Sequence, residues 1–62
     1  MYKPTQNEKD NCIQIVKEIL NIDEDIKCEK YVNDIFRIAY SIGCDYSKKA
    51  LRSIAEAVLK DV

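Results

Sequence analysis

The stretch Cys28-Glu-Lys-Tyr-Val-Asn-Asp-Ile-Phe-Arg-Ile-Ala-Tyr-Ser-Ile-Gly43 sets the architecture of this chain. Cys28, Tyr31, Val32, Ile35, Ile38, Ala39 and Ile42 recur at the i, i+3, i+4, i+7 spacing of one helical face. Phe36 and Tyr40 widen that face on one side, so the stripe is broader than one neighbouring helix normally covers. Gly43, the single glycine, is the residue that can turn left-handed and close the last helical turn. The pattern predicts a central helix over 25–42 with apolar partners on more than one side.

Upstream, Pro4 disfavours helical geometry at Lys3, so Met1 to Pro4 reads as an extended lead-in. Thr5-Gln-Asn-Glu8 has the form of a capping box, in which Thr5 accepts from the Glu8 amide and Glu8 reaches back to the Thr5 amide. Cys12, Ile13, Ile15, Val16, Ile19 and Leu20 then mark an amphipathic helix over 6–21. Asn21-Ile-Asp-Glu-Asp25 breaks the pattern with strong N-capping residues, which places a turn there and the next helix start near Asp23 or Asp25. Downstream, Cys44-Asp-Tyr-Ser47 is a connection in which Asp45 or Ser47 can cap a third helix over 47–61. Ala50, Leu51, Ile54, Ala55, Val58 and Val62 lie on its inner face, with Leu59 at the edge. Short connections imply antiparallel neighbours. The expected fold is all-α: one domain over 1–62, either a three-helix bundle or a helical hairpin with a splayed third helix.

A chain of 62 residues makes a marginal core, one that rarely leaves more than about 3–5 kcal/mol of net stability. Chains of this size lean on disulfides, metals or association. The composition favours the last, because there is no His and the three cysteines, Cys12, Cys28 and Cys44, form no Cys-x-x-Cys pair. They read as reduced thiols acting as small core hydrophobes. Their regular spacing, which also aligns Ile19, Ile35 and Leu51, reads as the coincidence of three amphipathic helices rather than as a repeat. A calcium loop opening at Asp23 would need Gly and Glu where the chain has Cys28 and Asp34. No metal and no cofactor is expected. The formal charge of −1 argues against a protein held mainly by phosphate contacts but leaves room for a local basic patch. With no long apolar run and no hydrophobic leader, a cytoplasmic protein without a membrane segment is expected.

Catalysis finds little footing, since the usual general base near neutral pH is missing and the chain is short for a substrate pocket. No enzyme is expected. A helix-turn-helix reader of nucleic acid is a more serious rival, because Lys48, Lys49 and Arg52 lie near the helix start that follows Gly43. The register opposes it: the third helix needs Leu51 and Ile54 inward, which inserts two residues into the usual turn. Protein–protein binding fits the wide apolar stripe best. The candidate contact residues are Tyr31, Ile35, Phe36 and Tyr40 from the central helix, with Leu51, Ile54 and Val58 from the third. The partner is another helical protein or a second copy, with a small DNA-binding regulator or an antagonist of a larger protein as alternatives.

Ile19-Leu20-Asn21, the single turn glycine Gly43 followed by Asp45, and Ala50-Leu51-x-x-Ile54 together resemble the MOZART-type mitotic-spindle organising proteins. The chain departs from that pattern after the turn, where Asp45-Tyr-Ser-Lys-Lys-Ala-Leu51 is two residues longer than the family's Asn-Pro-Glu-Ala-Leu segment. It departs again at Ile22-Asp-Glu-Asp-Ile26, where the family has Gly-Leu-Asp. The resemblance implies a non-enzymatic adaptor that intercalates with helices of a gamma-tubulin complex protein, completes a shared hydrophobic core and resides at microtubule-organising centres.

Overall fold

The computed structural model describes residues 3–60. It contains α1 (Gln6–Leu20), α2 (Asp25–Ile42) and α3 (Lys48–Leu59), and no strand among the described residues. Each helix packs against both others, which closes a three-helix bundle and rules out the splayed hairpin. The bundle measures 28 × 24 × 18 Å. The expected contributions of Met1 to the lead-in and of Val62 to the inner face of α3 fall outside the described residues.

Local chemistry sets each boundary. Thr5 Oγ1 accepts from the Glu8 amide at 3.1 Å while Glu8 Oε1 accepts from the Thr5 amide at 2.8 Å, so the capping box is complete. Asn21 ends α1 in the left-handed region at φ 56°, and its amide donates to the Lys17 carbonyl. Asn tolerates that conformation because its short polar side chain bonds locally. The turn was read as a set of N-caps, so this C-cap role of Asn21 is an addition to the sequence reading. Glu24 precedes α2 without a side-chain cap, and Asp25 supplies the negative charge its first turn favours.

Gly43 closes α2 at φ 75°, with its amide donating to the Tyr40 carbonyl at 3.2 Å and the Cys44 amide to the Ala39 carbonyl at 3.0 Å. This is a Schellman motif. Ser47 caps α3 by accepting from the Ala50 amide at 3.2 Å, and Asp45 in turn accepts from the Ser47 amide and hydroxyl. The third helix therefore starts one residue later than expected and ends at Leu59.

The core comprises Cys12, Ile15 and Val16 from α1, Cys28, Val32, Ile35, Phe36 and Ala39 from α2, and Leu51, Ile54, Ala55 and Leu59 from α3. Leu59, read from the sequence as an edge residue, is buried. Tyr46, from the α2–α3 connection, meets Phe36 edge-on with ring centroids 5.0 Å apart and an interplanar angle of 80°. That geometry suits the aromatic quadrupoles. It also ties the α2–α3 connection to α2, because Tyr46 belongs to the connection and Phe36 to the buried face of that helix. Cys44 is exposed in the same connection while Cys12 and Cys28 are buried, so the regular cysteine spacing is not a structural repeat.

Candidate functional site

The apolar stripe of α2 is wider than α1 and α3 together can cover. Measured around the helix at about 100° per residue, Cys28, Val32, Ile35 and Ala39 share the centre of the stripe. Phe36 lies roughly 60° to one side, with Tyr40 beyond it; Ile42 lies about 60° and Ile38 about 100° to the other side. Phe36 is drawn into the core beneath Tyr46. On the opposite flank α3 presents Ser53 and Ala57, which are too short to cover a neighbouring isoleucine. Ile38 therefore stays 38% exposed and Ile42 61% exposed.

The result is a shallow groove of about 460 Å³ between the C-terminal half of α2 and α3, lined by Ile38, Ile42, Ser53, Ile54, Ala57 and Val58. None of its lining residues is ionisable. A second apolar hollow, of about 480 Å³, lies at the other end of α2 between Leu20, Ile22, Ile26, Lys27, Lys30 and Tyr31. Ile26 there is 83% exposed, but the setting is charged: Lys27 pairs with Glu24 at 3.4 Å, and Asp23 and Asp25 are exposed beside it.

The candidate contact residues divide on this map. Ile35, Phe36 and Leu51 are buried in the chain's own core and offer no surface to a partner in this arrangement. Their inward placement is what the bundle needs to close. Ile54 and Val58 form the groove floor, Tyr31 lines the hollow near Ile26, and Tyr40 is half exposed. Ile38 and Ile42 were read as part of the inner stripe and emerge as the groove's outer wall. The signal that finds them is angular: both lie on the flank facing the small residues of α3.

Of the three cations proposed for a nucleic-acid contact, Lys48 and Lys49 are exposed at the start of α3. Arg52 is committed elsewhere, bonding Glu18 of α1 at 2.7 Å. That hydrogen bond holds the Glu18 carboxyl below its ordinary range and raises the guanidinium further. A second ion pair, Lys17 with Asp25, joins α1 to α2 and raises the Lys17 ammonium. Within the core, burial, with Cys28 adding to it, pushes the Cys12 thiol up to about 11. Burial also raises Cys28. Such thiols are protonated and poor nucleophiles at neutral pH. No group of three His, Cys, Asp or Glu side chains among the described residues is placed to hold a metal ion. No helix of the described residues is long and apolar enough to cross a membrane.

The fold and the groove define a small helical bundle with an uncharged, incompletely covered apolar face. No family model matches the chain, and no curated protein and no solved structure is found to be similar to it.

Proposed function

We propose that this chain is a non-enzymatic interaction module that binds protein through the α2–α3 groove. The observation that carries this reading is the exposure of Ile38 and Ile42 on successive turns of α2, above a floor of Ile54 and Val58, with no charge in the lining. Two isoleucines left partly uncovered beside an uncharged lining give a partner's apolar side chains a place to be buried, which is the contact this reading requires. Within this class, the resemblance to MOZART-type proteins names one concrete partner to test, the helices of a gamma-tubulin complex protein. The nucleic-acid alternative rests on Lys48 and Lys49 once Arg52 is engaged by Glu18.

Affinity capture with the purified chain as bait separates the two readings. Retention of a partner protein should be lost in Ile42→Asp, which sets an unpaired carboxylate in the groove, and kept in Lys48→Ala. Ile42 is a better probe than Phe36, because Phe36→Asp would bury the charge in the core and unfold the chain. The opposite ranking, together with binding that weakens steeply with salt, would replace the protein contact by a phosphate contact.

A further inference from the structure

We draw no further inference here: the strongest candidate, the apolar groove that Ile38, Ile42, Ile54 and Val58 form between α2 and α3, belongs to the site already described, and nothing in the structure shows what covers it.

Discussion

Gly43 and Asn21 both hold left-handed backbone, and the two positions differ in what they tolerate. At Gly43 a Cβ would meet nothing within 4 Å, so any penalty for a side chain comes from the φ of 75° alone. Gly43→Ala should therefore lower stability by about 1–2 kcal/mol. For a domain of this size each kcal/mol moves the midpoint by about 4–8 °C, readable by thermal circular dichroism. An unchanged midpoint would mean that α2 does not end in a left-handed cap. These residue-scale features were unevenly legible. The Thr5–Glu8 box and the Gly43 stop are written in a few adjacent residues, so sequence alone exposes them. Tyr46 is different, because its partner Phe36 sits ten positions earlier across a turn and no periodicity links the two.

At the scale of elements, α3 shows how packing fixes a register that charge alone would leave ambiguous. Leu51, Ile54 and Ala55 face inward, which turns Lys49 and Arg52 outward, as the apolar spacing required. Its start depends on Ser47, whose hydroxyl is the acceptor for an amide that has no intrahelical partner. Ser47→Ala should cost about 1 kcal/mol in chemical denaturation, whereas Ser53→Ala, an exposed mid-helix change, should be near neutral. Equal losses from the two would remove the capping role. The helices themselves were legible because three amphipathic periods separated by Asn, Asp and Gly have few other readings. The groove was not, because periodicity says which residues share a face but not how far a neighbour's side chains reach across it. Ile38 and Ile42 are left exposed by the shortness of Ser53 and Ala57, a property of the facing helix.

On the scale of the whole molecule, a small core has to accommodate two buried thiols, Cys12 and Cys28, and this ties its stability to alkaline pH. Burial raises the folded Cys12 thiol to about 11 from an ordinary 9.0. A group whose folded value is raised contributes stability that is fully present below the unfolded value and is lost as pH rises through the folded one. The unfolded chain therefore begins to ionise at Cys12 near pH 9, while the folded chain holds its proton until about 11. Between those limits stability should fall by about 1.4 kcal/mol per pH unit. That is a large fraction of the roughly 3–5 kcal/mol such a core supplies. The onset lies below the ordinary tyrosine and lysine range of about 10 and above. Urea denaturation under reducing conditions at pH 7, 8, 9 and 10 should show a plateau to pH 8 and a decline that begins near 9. In Cys12→Ala the decline should be markedly shallower, with the remainder due to Cys28, whose thiol burial also raises. Equal stability at pH 8 and pH 10 in the parent chain would mean that Cys12 is in contact with water, and that α1 and α2 do not close over it as described.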